Sequence, residues 1–220
     1  MNISVILFFL HNVFATVILG GKFVSRRDSV TKNFGIALIL DGIAFAIWSA
    51  AVALKPANLE TYVTIGVVFF IASLVMFLNA GTQNISPSAR RPLLVVGAVV
   101  GAVVFYLRAF VYPSAPSFSA EGLFFFNPHP IVQMLYIFGL ALTALPAIDA
   151  LASKFRSGYS ALIRYGFIAE VVGGVILITS TNMGNTNSAA LNLTGWIIGL
   201  VYFLLWTTFL FSKKAWSDVS

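Results

Sequence analysis

The chain of 220 residues has no cysteine, two histidines and only 9% charged residues. Without a thiol there is no disulfide scaffold, no thiolate metal site and no cysteine nucleophile. Charge this sparse excludes an ordinary water-soluble domain, in which about a quarter of the residues are charged. It also excludes a disordered chain, which combines high charge with low hydrophobicity. Two histidines and seven carboxylates leave little material for acid–base or metal chemistry, so no enzyme activity is expected.

What the chain has instead is apolar residues, 59% of the total, with a mean hydropathy of +0.94. A bilayer core about 30 Å thick takes roughly 20 apolar helical residues to cross. Seven segments reach that length, at about 3–23, 34–54, 61–80, 92–112, 130–150, 161–181 and 191–211. The prediction is an all-α, polytopic bundle of seven transmembrane helices, one domain over 1–220, with the lipid bilayer as its first partner. No basic residue precedes the first span and no small-residue cleavage site follows it, so it is expected to be a retained helix.

Basic residues set the orientation, because cytoplasmic loops collect Lys and Arg. Lys22, Arg26, Arg27, Lys32, Arg90, Arg91, Lys154, Arg156, Arg164, Lys213 and Lys214 fall on one side, eleven of the thirteen. Lys55 and Arg108 fall toward the other. The N-terminus is therefore expected outside and the C-terminus in the cytoplasm. The net charge of +6 then favours anionic headgroups, with no call for a nucleic-acid partner. Compact loops fit a bacterial inner membrane. Trp48, Tyr62, Tyr112 and Trp216 lie near predicted span ends, where an aromatic belt belongs. The longest external stretch, Pro113 to His129, contains Phe124, Phe125 and Phe126, expected to dip into the headgroup layer; the alternative is a lid over a cavity.

Two small-xxx-small motifs, Gly97 to Gly101 and Gly195 to Gly199, let helix backbones approach closely. Their ordinary use is intramolecular packing; a homo-oligomer or a larger membrane complex is the other. Shifting the chain by 129 residues lays the first three spans on the last three without a gap, bringing Asp41 onto Glu170 and Gly66 onto Gly195. The overlay raises a 3+1+3 duplication, a layout that puts transporter sites between the repeats.

Charged groups in hydrocarbon are costly and mark function by default. Glu170 sits near the centre of the sixth span, roughly 15 Å from either end, so its carboxyl must meet a partner, a wet cavity or a proton of its own. Asp41 lies about 10 Å below the cytoplasmic surface. His11 and Asn12 occupy the outer half of the first span. His11, Asp41 and Glu170 are expected along one polar track. Arg108, near the outer end of the fourth span, is expected to snorkel to the headgroups, with pairing to Glu170 as the alternative. Asp149 is expected to be a solvated partner of the basic loop around Lys154. Gln133, Tyr136, Thr143, Asn192, Thr194 and Tyr202 are candidates for a pocket between the fifth and seventh spans.

A covalent retinal pigment needs a lysine deep in the last helix, and 191–211 has none. Two histidines are too few for an intramembrane zinc site. A b-type haem between His11 and His129 is the one cofactor the composition permits; otherwise none is expected. Two functional readings follow. One is a small transporter or channel that uses the intramembrane carboxylates for ion or proton coupling, with a small ion or small molecule as its ligand. The other is a non-catalytic subunit or an opsin-like ligand-sensing bundle without the Schiff-base lysine.

Overall fold

The computed structural model describes residues 3–54, 57–114, 116–118, 123–155, 157–180 and 186–210. Side chains within those ranges are described except at 3, 157, 158, 180, 186–188 and 202–210. Lys55, Arg156, Lys213, Lys214 and Trp216 lie outside the described residues, as does the Tyr202 side chain.

Among the described residues the chain forms seven helices, six of them long and apolar enough to cross a membrane. Helix α1 runs through Ile3–Asn12, a π-helical stretch Val13–Gly20 and a last turn Gly21–Val24. It is followed by α2 (Ser29–Leu54) and α3 (Leu59–Gly81). Helix α4 spans Pro87–Tyr106 and ends in a π-helical stretch, Leu107–Val111. Then come α5 (Pro130–Ala152), α6 (Ser157–Ser180) and α7 (Thr186–Leu210). The described side chains of α7 give it an apolar stretch of Ala189–Val201.

Several helices begin earlier than hydropathy alone predicts, because polar caps and prolines start them. Asp28 caps α2, its Oδ1 accepting from the Thr31 amide and hydroxyl, both at 2.9 Å. Pro87 opens α4, where a missing N–H costs nothing. His129 caps α5, its Nδ1 accepting from Ile131 N at 3.3 Å.

The helices pack in chain order: α1 on α2, α2 on α3, α5 on α6 and α6 on α7. Helix α3 joins the two triplets by packing on α5, and α7 returns to touch α1. Helix α4 stands apart, resting mainly on α3 with Val95, Val96, Val99 and Phe110 exposed along its outer side. Its two motif glycines face inward: a Cβ at Gly97 would meet Leu78 at 2.7 Å, and one at Gly101 would meet Ile71 at 2.6 Å. The second motif serves α6 and α7, where a Cβ at Gly195 would lie 2.9 Å from the Gly173 carbonyl. Contact between α1 and α2 is as tight, since a Cβ at Gly42 would fall 1.9 Å from Thr16 Oγ1.

The loop between α4 and α5, expected on the outer side, departs from the expected headgroup contact. Strands β1 (Ser117–Phe118) and β2 (Phe124–Phe125) form an antiparallel ribbon, with Ser117 opposite Phe125 and Phe118 opposite Phe124. The Phe124 amide donates to Ser4 Oγ at 2.8 Å, which draws the ribbon down onto α1. Phe124 and Phe125 are buried as a result, and Phe124 and Phe126 close the bundle from outside. The loop is a lid in geometry. Trp48 is likewise no belt residue: it is buried in the bundle, its indole donating to Val63 O at 3.1 Å.

Candidate functional site

A cavity of about 180 Å³ lies inside the ring of helices, with walls from every helix and from the external loop. Its lining is largely aromatic and aliphatic. His11, Asp41, Glu170, Arg108, Tyr136 and Asn192 are among the polar residues that reach it. Three of the predicted site residues, His11, Asp41 and Glu170, thus share one internal space.

Helix α1 presents His11 and Asn12 where it passes from α to π geometry, a change often found at functional positions. His11 Nε2 donates to Asp41 Oδ2 at 2.8 Å, joining α1 to α2. Asn12 has a different task. Its Nδ2 donates to Gly42 O at 2.6 Å and to Thr16 Oγ1 at 3.4 Å, so it ties the same two helices together through backbone. Around the His11 ring stand Phe45, with centroids 3.9 Å apart, and Trp196, at 6.1 Å. Phe8 packs against both of these and against Trp48, at 5.7, 5.2 and 6.5 Å respectively.

Glu170 differs from the other acids. Among the described residues its buried Oε2 has no hydrogen-bond partner. The carboxyl lies over Gly199 of α7, where a Cβ would sit 3.4 Å from Oε2 and 3.5 Å from Oε1. A glycine there leaves the carboxyl room that a larger residue would fill.

Arg108 corrects both sequence expectations: it neither snorkels nor pairs with Glu170. It is 2% exposed, on the π-helical end of α4, and forms an ion pair with Glu60 in the first turn of α3. Its Nη2 donates to Ser114 Oγ at 2.7 Å, and that hydroxyl donates to Glu60 Oε2 at 2.8 Å. Glu60 was not a sequence candidate because it stands one residue outside the predicted third span. The available signal was that it lies at the same outer end as Arg108.

The remaining candidates divide. Gln133 Nε2 donates to Ile178 O at 3.0 Å and links α5 to α6. Tyr136 lines the cavity, its ring edge-on to Phe70 at 5.8 Å and its buried hydroxyl without a partner among the described residues. Thr143 and Thr194 instead donate to their own helices, to Gly139 O at 2.7 Å and Ala190 O at 2.8 Å. Asp149 pairs at the surface with Arg164 at 2.7 Å. His129 stacks on Tyr112, centroids 4.2 Å apart and planes 11° off parallel, at the mouth of α5. Among the described residues no three His, Asp or Glu side chains are grouped as a metal would require.

Comparison with protein-family models, with curated proteins and with solved structures finds no match for this chain.

Proposed function

We propose that this bundle is a small membrane transporter whose interior cavity holds the solute. Glu170 and the His11–Asp41 pair are then the groups that exchange a proton or cation during the cycle. The observation that carries the reading is that all three line one cavity while Glu170 Oε2 has no hydrogen-bond partner among the described residues. An unsatisfied acid in an apolar interior lowers stability, and its return is functional.

The helix arrangement supports the same view. Helices α1–α3 and α5–α7 each pack in chain order around the cavity, while α4 rests on α3 and adds only Arg108 to the wall among the described residues, as a 3+1+3 duplication would have it. Asp41 and Glu170, which coincide under the 129-residue shift, both face the cavity. The reading includes seven spans, an external N-terminus, a cytoplasmic C-terminus and residence in a bacterial inner membrane, on the strength of the basic loops. A ligand-sensing bundle is the second reading, favoured by the Phe124 and Phe126 lid that Ser4 holds down.

Proteoliposomes loaded with a pH-reporting dye separate the two. A transporter dissipates an imposed pH gradient in the presence of its solute, and Glu170→Gln does not. Equal flux from wild type and Glu170→Gln removes the proposed role. Solute binding without any flux leaves the sensing bundle.

A further inference from the structure

We infer that the cavity takes a small organic cation with an aromatic or apolar body, its ammonium group set against the Glu170 carboxyl. This rests on the reading above, that a solute occupies the cavity. Three observations specify the ligand: room, wall and charge.

The room is about 180 Å³. An engineered apolar cavity of about 150 Å³ binds benzene, so this one holds a single ring with a short arm. The lining includes Phe45 and Trp196 beside His11, with Phe8 and Trp48 packed on them. These rings touch one another, Phe45 to Trp48 at 4.9 Å and Phe45 to Trp196 at 5.7 Å. Such a wall favours a ring by area and a cation by its π faces, indole most of all.

The charge follows from pairing. Arg108 is matched by Glu60, and His11 is bonded to Asp41, while Glu170 Oε2 has no hydrogen-bond partner and Glu170 no ion pair of its own among the described residues. A carboxyl in a dry interior either keeps its proton or ionises beside a cation, and an ammonium ligand supplies that cation. A bare metal ion is a poor candidate, since hard cations take six or more oxygen ligands and the wall here is mostly carbon. An anion finds Arg108, the cavity-lining guanidinium among the described residues, already taken by Glu60.

The test uses purified protein in detergent, with intrinsic fluorescence from Trp48 and Trp196 and thermal shift as readouts. The probes are benzylamine in its ammonium form, benzyl alcohol and benzoate, which share a ring and differ in charge. The expected result is that benzylammonium binds about tenfold more tightly than benzyl alcohol and that benzoate does not bind. Glu170→Gln brings benzylammonium down to the level of the alcohol and leaves the alcohol unchanged. If wild type binds the alcohol as well as the ammonium, the cavity reading stands and the cation inference falls. If no probe binds wild type, both fall. The wild-type ranking decides the point even where Glu170→Gln does not fold.

Discussion

Removing Glu60 should destabilise the bundle more than removing Arg108, although the two form one ion pair. The asymmetry comes from burial: the Arg108 side chain is 2% exposed and that of Glu60 33%. In Glu60→Ala the guanidinium loses both its carboxylate and the acceptor of the bridging Ser114, yet stays enclosed with its charge. Stranding one half of a buried pair costs about 3 kcal/mol or more. In Arg108→Met the stem packing is kept and the freed carboxylate turns toward water or headgroups, so the loss is nearer the worth of a charged hydrogen bond, about 1.5 kcal/mol. For a chain of this length each kcal/mol moves the midpoint by about 2–4 °C, so Glu60→Ala should fall by about 6–12 °C and Arg108→Met by about half that. Thermal unfolding in one detergent at one scan rate measures both. The double variant should be more stable than Glu60→Ala alone, because no charge is then stranded. Equal losses from the two single variants, or a double variant worse than either, would refute the reasoning.

Gly199→Ala places a methyl in ordinary contact with the Glu170 carboxyl, 3.4 Å from Oε2; it should leave the melting temperature nearly unchanged while reducing flux in proteoliposomes. Gly66→Ala should behave in the opposite way, since a Cβ there would fall 2.0 Å from Trp48 Nε1 and break its bond to Val63 O. Overpacking of that kind costs about 1–3 kcal/mol, read as a lower melting temperature with red-shifted tryptophan emission. His11→Phe removes the donor to Asp41 and leaves that acid unsatisfied between α1 and α2, so it should lower both stability and flux; unchanged stability would show the pair to be dispensable to the fold. Asp149→Ala removes a pair exposed at 43% and 71% of its two side chains and should shift stability by less than about 0.5 kcal/mol, as a melting curve would register.

The helices were legible in the sequence because the bilayer sets a length that hydropathy can count, and the intramembrane His11, Asp41 and Glu170 stood out against so apolar a background. Their shared cavity was expected as a polar track, which is a statement about depth and sequence face. What depth cannot give is azimuth. Trp48 was assigned to a belt by its distance from the end of its span, yet the face of α2 it occupies points inward. Arg108 was placed by the same measure, and its partner lay 48 positions back, in a residue trimmed from its helix by the hydropathy window. The inward turn of Phe124 and Phe126 rests on ring contacts with Phe8 and on the Phe124 amide donating to Ser4, 120 residues away. No local pattern carries such a contact. Helix starts at Ser29 and Pro87 were missed by about one turn because caps and first-turn prolines are polar or neutral to a hydropathy scale.

The ionisable groups inside the bundle sort by whether the fold has answered them. Asp41 has His11, and Arg108 has Glu60 and Ser114. Each of these unions joins two neighbouring helices, α1 to α2 and α3 to α4, and so has a structural return. Glu170 makes no such union among the described residues. Its position is nevertheless fixed, because the helix that carries it is locked to α7 three residues further on, where Gly173 and Gly195 bring the two backbones together. The second glycine of the same motif, Gly199, then stands opposite the carboxyl and leaves it space. One glycine brings the helices into contact and the other leaves room for the carboxyl. A motif that served packing alone would fill the space at Gly199 with a side chain; here a glycine stands against the carboxyl of a cavity-lining acid whose Oε2 has no hydrogen-bond partner among the described residues, and the proposed cationic solute would supply that partner.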